Sequence, residues 1–172
     1  THRYNYRRYF SQLFRFAMGR GYCHANPAQA IERVHVPWRE PGIFTPEEIQ
    51  RLLNVAAEDH GAIMLPYFAV GCLAGLRPHE LRRLEWKDVN LLEKEIYVAP
   101  DVSKTHTDRF VTMPDSLVEW LNLVPAGRRR GVLVYDRNAF NRIRERAGVL
   151  EKWKTCKDIM RHSAASHFYK NI

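Results

Sequence analysis

The sequence predicts a mainly α fold with a small antiparallel β-sheet (α+β), entered through the end of a second, helical domain. Three observations carry this expectation. Over most of the chain apolar residues recur at three- and four-residue spacing, the stripe of an amphipathic helix. In the middle the period changes: Ile96-Tyr97-Val98 and Phe110-Val111-Thr112-Met113 are short β-branched and aromatic runs, joined by the polar turn Asp101 to Asp108, which reads as a hairpin. The 172 residues leave room for one sizeable domain plus a fragment of another, and 45% hydrophobic against 27% charged with no low-complexity tract excludes disorder.

Each element follows from its residues. Residues 1–20 hold five arginines and no acid, and Tyr6, Phe10, Leu13 and Ala17 fall on one helical face, so a basic amphipathic helix is expected, ended by Gly19 and Gly21. One such helix cannot form its own core. It is expected to close a domain, residues 1–36, whose beginning is absent. Asn26-Pro27 and the pattern Ala28–Val34 suggest a further helix. Pro37-Trp38-Arg39-Glu40-Pro41-Gly42 then reads as a linker, 37–43, before a main domain over 44–172. Thr45-Pro46-Glu47-Glu48 is a helix start: Thr45 caps, Pro46 suits the first turn and Glu48 completes a capping box. Ile49, Leu52, Leu53 and Ala56 mark its buried face. A second helix is expected over 61–74, stopped by Gly75, and a third, short one from Pro78 carrying Glu80, Leu81 and Leu84. Beyond the hairpin, helices are expected near 116–123 and 139–147, with Val132-Leu133-Val134 a candidate strand between them. A last helix runs from Lys157 to Phe168, offering Ile159, Ala164, Ala165 and Phe168 for packing.

The net charge of +8 points to a polyanionic partner, nucleic acid first and an anionic membrane surface second. Cys23, Cys72 and Cys156 are odd in number and in no CxxC arrangement, which argues against a disulfide framework and against a zinc site; no metal is expected, and the location expected is a reducing cytoplasm. No signal peptide is expected from the opening residues. The uncharged stretch His60 to Leu76 falls short of the ~20 residues of a membrane span and is interrupted by Pro66, so it reads as a buried helix.

Three stretches carry candidate chemistry. In Ala74-Gly75-Leu76-Arg77-Pro78-His79-Glu80-Leu81 a glycine turn delivers an arginine to the start of a helix, where free N–H groups also favour an anion, and Glu80 is placed to orient its guanidinium. In Ser103-Lys104-Thr105-His106-Thr107-Asp108-Arg109 a lysine at a hairpin tip can reach into a groove and protonate a leaving oxygen. In Asp158-Ile159-Met160-Arg161-His162-Ser163-Ala164-Ala165-Ser166, Asp158 and Arg161 share a helical face among small residues that permit close packing. Singly, each has a plain structural reading: a surface ion pair, a solvated turn, a core-edge ion pair.

Taken in order, Gly-Leu-Arg-x-x-Glu-Leu, the hairpin lysine and Met-Arg-His-Ser-Ala-Ala-Ser resemble the tyrosine recombinase (phage integrase) family. Phe44-Thr45-Pro46-Glu47-Glu48-Ile49 and Leu84-Glu85-Trp86-Lys87-Asp88-Val89 are similar to it as well. The resemblance spans nearly the whole chain and implies the end of a core-binding domain followed by a tyrosine recombinase catalytic-domain fold. It implies a site-specific recombinase or integrase of a phage or other mobile element, acting on double-stranded DNA in the bacterial cytoplasm or nucleoid. In such enzymes a tyrosine attacks a phosphodiester, giving a 3′-phosphotyrosine and a free 5′-hydroxyl, and a second 5′-hydroxyl reverses the step. Bond energy stays in the covalent intermediate, so no cofactor is implied. Planar, permanently charged guanidiniums suit the non-bridging oxygens as negative charge builds, and losing such a stabiliser costs roughly 100-fold or more in rate. By resemblance Arg77 and Arg161 are the clamp, Glu80 braces Arg77, Lys104 is the general acid and His162 supports the site. Arg7, Arg8, Arg15, Arg128, Arg129, Arg130, Arg142 and Arg146 are candidate phosphate contacts, each with a solvated surface as its alternative.

Two departures stand out. Where the family usually has a histidine, three residues before the second arginine, this chain has Asp158, which could act as a base or position a neighbour. The family's later His/Trp and its nucleophilic tyrosine are expected a few tens of residues beyond Arg161. Tyr169 is only eight residues on, along the same helix, and makes a poor nucleophile candidate. The expectation is therefore a fragment that binds DNA without cleaving it, a monomer as it stands and a tetramer on DNA at full length. Two other readings remain: a degenerate integrase remnant that occupies DNA without chemistry, and a type IB topoisomerase, against which the core-binding helix and linker argue.

Overall fold

The computed structural model describes residues 2–32, 40–103, 107–156 and 158–169. Contacts divide the chain into two compact units, Thr1–Glu40 and Pro41–Ile172. In the first, α1 (His2–Gly19) ends where Gly21 takes a left-handed backbone, and the Tyr22 N–H reaches back to the Ala17 carbonyl at 2.9 Å. Asn26 caps a 3-10 turn, Pro27–Gln29, with its side-chain oxygen and ties that turn to α1 through Ser11. The helix expected over 28–34 is reduced to this one turn among the described residues; 33 and 34 lie outside them. Its pattern offers little to bury, since Ala28 is covered and Ile31 is exposed. Tyr6, Tyr9, Phe10, Leu13 and Phe16 on α1 are all exposed.

The second unit is mainly helical with a small antiparallel sheet. Helix α2 (Pro46–Glu58) has the expected capping box: Thr45 Oγ1 accepts the Glu48 N–H and Glu48 Oε2 accepts the Thr45 N–H at 2.8 Å. Ile49, Leu52, Leu53 and Ala56 are buried as its spacing requires. The helix expected over 61–74 starts later than predicted. His60, Gly61 and Ala62 all have positive φ, a loop pinned from outside by Arg142 on Asp59 and by Arg128 Nη1 on the Gly61 carbonyl at 2.7 Å. Helix α3 (Leu65–Ala69) then begins with Pro66 in its first turn and widens into a π-type turn, Val70–Ala74. Short α4 (Pro78–Leu81) follows.

The sheet has the order β1 (Val89–Asn90), β2 (Glu95–Val98), β3 (Arg109–Thr112), all antiparallel, with Ile96 opposite Val111 and Val98 opposite Arg109. The hairpin is thus present, and two-residue β1, too short for a periodicity signal, joins it. Val132 makes only an isolated bridge to Glu85, so the candidate strand 132–134 is not a strand. Helices α5 (Asp115–Asn122), α6 (Arg137–Arg146), α7 (Leu150–Thr155) and α8 (Ile159–Tyr169) complete the unit; the sequence pattern does not predict α7. Trp153 of α7 closes an aromatic cluster with Phe44, Phe68 and Phe140, in which Phe68 and Phe140 stack at 5.4 Å. On α8, Ile159 and Ala164 are buried, but Ala165 faces solvent and Ser163 takes the inner position; the Phe168 side chain lies outside what is described.

Candidate functional site

The site is assembled where α8 crosses the turn between the π-type segment and α4. Gly75 ends that segment with φ +66, a left-handed conformation that favours glycine. A Cβ there would meet the Ala164 Cβ at 3.1 Å, so glycine also permits the approach of α8. Gly71, one turn earlier, faces Met160 and Leu81 as closely. Leu76 is buried, and Pro78 forces Arg77 out of the helical region, leaving it extended as the N-cap of α4.

Glu80 then holds Arg77 twice. Its Oε2 accepts the Arg77 backbone N–H at 2.9 Å and its Oε1 accepts Arg77 Nη1 at 3.2 Å. A third bond comes from the sheet: Arg109 Nη2 donates to Glu80 Oε2 at 2.8 Å. Glu80 is 1% exposed. Burial alone would push its carboxyl pKa up, but the bonds from Arg109 and from the Arg77 N–H outweigh it and hold the group below the usual glutamate value. Arg161 reaches the same turn from α8, Nη1 donating to the Gly75 carbonyl at 2.8 Å. Burial, with the positive charge of Arg77 next, lowers its pKa, yet a guanidinium keeps its proton at any physiological pH. Two guanidiniums therefore hold one buried carboxylate while a third, on the neighbouring Gly75 carbonyl, feels their charges, and the surplus positive charge favours an anion.

Helix α8 is fixed on its other side by the residue that leads into α2. Ser163 Oγ accepts the Phe44 N–H at 2.8 Å while donating to the Ile159 carbonyl at 2.7 Å, and His167 Nε2 lies 2.8 Å from the Phe44 carbonyl oxygen.

Of the residues singled out in the sequence, Arg77, Glu80 and Arg161 come together. Lys104 lies outside the described residues. Asp158 is exposed at the start of α8, its carbonyl accepting the His162 N–H at 3.0 Å, and its charge acts on Arg161; His162 is half-buried. The distal arginines differ among themselves. Arg142 is held by Asp59 through two bonds of 2.9 and 2.7 Å, and Arg146 lies 3.3 Å from Glu58 and 3.5 Å from Asp59, so acids match their charge. Arg128 and Arg129 donate to backbone carbonyls, as does Arg7 to that of Ile31. Arg8, Arg15 and Arg130 are exposed. Sequence motifs alone give no role to Arg109. The available signal is strand alternation: Arg109 and Val111 share the half-buried face of β3, while Phe110 faces solvent against Tyr97. An aromatic next to an arginine suggests the opposite facing.

The sequence model of the phage integrase family matches residues 43–172. The chain belongs to the phage integrase family. Among curated relatives, the ICEBs1 integrase of Bacillus subtilis is 27% identical over 97 residues, 56% of this chain and 25% of that protein. Among solved structures, the Tn1549 transposon integrase aligns with a TM-score of 0.67 at 16% identity, covering 97% of this chain and 66% of the other. A lambda integrase aligns with a TM-score of 0.60 at 18% identity, covering 96% and 53%. At these identities the structures share the fold. The chain spans between a quarter and a half of the length of the curated relatives it matches.

Proposed function

We propose that this chain is the phosphate-holding part of a site-specific DNA recombinase that cleaves and rejoins strands through a 3′-phosphotyrosine intermediate. The observation that carries the proposal is the meeting of Arg77 and Arg161 on one turn, with Glu80 bracing Arg77. In this reading the two guanidiniums bind the non-bridging oxygens of one phosphate and stabilise the charge that develops as the phosphorus is attacked. Lys104 is the general acid for the leaving 5′-oxygen, Asp158 positions or deprotonates a neighbour where relatives use histidine, and His162 supports the site. The attacking tyrosine is supplied from outside residues 1–172 rather than by Tyr169. Family membership supports the reaction class, and the DNA-bound Tn1549 integrase and the lambda integrase tetramer on a Holliday junction support a duplex partner and a tetrameric working assembly. Arg7, Arg8, Arg15, Arg128, Arg129, Arg130, Arg142 and Arg146 are phosphate contacts in this reading, with exposed Arg8, Arg15 and Arg130 the freest to move to DNA.

The test uses a nicked suicide DNA substrate, in which the cleaved strand diffuses away. The full-length protein should form a covalent adduct that Arg161→Ala abolishes; an adduct that persists in that variant overturns the site assignment. The 172-residue chain should bind duplex DNA in a salt-sensitive way and give no adduct. An adduct lost in Tyr169→Phe would make Tyr169 the nucleophile. The second reading, an integrase remnant that occupies DNA without chemistry, is favoured by Asp158 in the place of histidine, and it predicts no adduct at full length.

A further inference from the structure

The buried Glu80 carboxylate is the hub of the site, and its strongest partner comes from elsewhere in the fold. Arg77 and Glu80 are three residues apart around a one-turn helix, a local pair that holds weakly on its own. The Arg77 guanidinium contact is 3.2 Å, whereas Arg109 reaches Glu80 from β3, 29 residues along the chain, at 2.8 Å. Oε2 thus has two donors, the Arg77 N–H and Arg109 Nη2, leaving Oε1 free for the Arg77 side chain. A carboxylate that is 1% exposed cannot draw replacement donors from bulk water. Arg83, in the turn after α4, also donates to the Asp101 carbonyl at 3.3 Å, so the hairpin is tied to the α4 region at a second point.

We propose that Arg109 is a positioning residue of the phosphate site: from the sheet it fixes the buried Glu80 carboxylate, and through it the guanidinium of Arg77. The proposal rests on the phosphate-clamp reading above, but its own test does not. The charged groups facing Glu80 are Arg77 of the turn before α4, Arg109 of β3 and Arg161 of α8, with Asp158 acting on Arg161. Because Glu80 sits below the usual glutamate range, its brace is present at neutral pH and is lost as pH falls through the folded value. Without Arg109 the burial contribution is less opposed, so the brace fails at higher pH.

The experiment follows the Glu80 side-chain carboxyl by carbon-13 NMR in the 172-residue chain, alongside affinity for a fluorescein-labelled DNA duplex as a function of pH. In Arg109→Met the Glu80 midpoint should rise, and DNA affinity at mildly acidic pH should fall about tenfold, the size of one charged hydrogen bond. Arg109→Lys, which retains a cation, should recover part of both and guards against a folding artefact, which thermal melts of both variants also check. An unmoved Glu80 midpoint in folded Arg109→Met overturns the proposal; weaker DNA binding with that midpoint unmoved would instead make Arg109 a direct phosphate contact. If the midpoint rises but Arg77→Ala leaves DNA affinity unchanged, the positioning role stands and the clamp reading fails.

Discussion

Replacing Gly75 by alanine tests the close crossing on which the site depends. The substitution has two separable costs. Holding alanine at φ +66 costs about 1–2 kcal/mol, because its Cβ crowds the following carbonyl. The new Cβ would also lie 3.1 Å from the Ala164 Cβ, on a helix backbone that cannot swing away as a long side chain would, adding about 1 kcal/mol. The sum, about 2–3 kcal/mol, corresponds to a Tm lower by roughly 5–10 °C for a chain of this size. Gly148 is the control: it has φ +70, and a Cβ added there would meet nothing within 4 Å, so Gly148→Ala should show the conformational cost alone. Scanning calorimetry of both variants, with Ala164→Gly completing a double-mutant cycle, isolates the contact. Equal losses at 75 and 148 would refute the close-approach argument, and no loss at either would refute the backbone argument. Because Arg161 holds the Gly75 carbonyl, Gly75→Ala should also weaken DNA binding while Gly148→Ala should not.

Asp59→Asn should lower the Tm by several degrees at pH 7, since the bonds from Arg142 hold the Asp59 carboxyl below its usual range. The stability from that lowered pKa is present above the unfolded value and is lost as pH falls through the folded one, so calorimetry from neutral to acid pH should show the gap between wild type and variant closing; a constant gap contradicts the assignment. Ser163→Ala leaves the buried Phe44 N–H without its acceptor and should cost about 2 kcal/mol in urea denaturation; a loss within error would mean that another group satisfies Phe44.

Much of the fold is legible in the residues because the signals are local. Thr45 and Glu48 announce a capping box, Gly75 and Pro78 bracket a turn, and both survive folding because short-range bonds determine them. What the residues do not reveal depends on partners distant in sequence. The start of α3 is displaced by Arg128 and Arg142, which lie 67 and 83 residues from the loop atoms they hold. The same is true of the site: Arg77 and Glu80 form a pattern three residues apart, whereas Arg109 becomes visible only once the β2–β3 register places it beside α4. Ser163 reads as one more small residue in a packing helix, and its bond to Phe44, 119 residues away, has no sequence signature.

In the proposed clamp, Arg77 and Arg161 grip one phosphate together. A titration of the 172-residue chain with duplex DNA, followed by the arginine side-chain N–H resonances, separates this clamp from other modes of binding. The Arg77 and Arg161 signals should shift together, saturate at one apparent Kd, and lose that response jointly in Glu80→Gln. If both stay fixed while those of Arg8, Arg15 or Arg130 move, the chain binds DNA through those residues without the clamp, which is then contradicted.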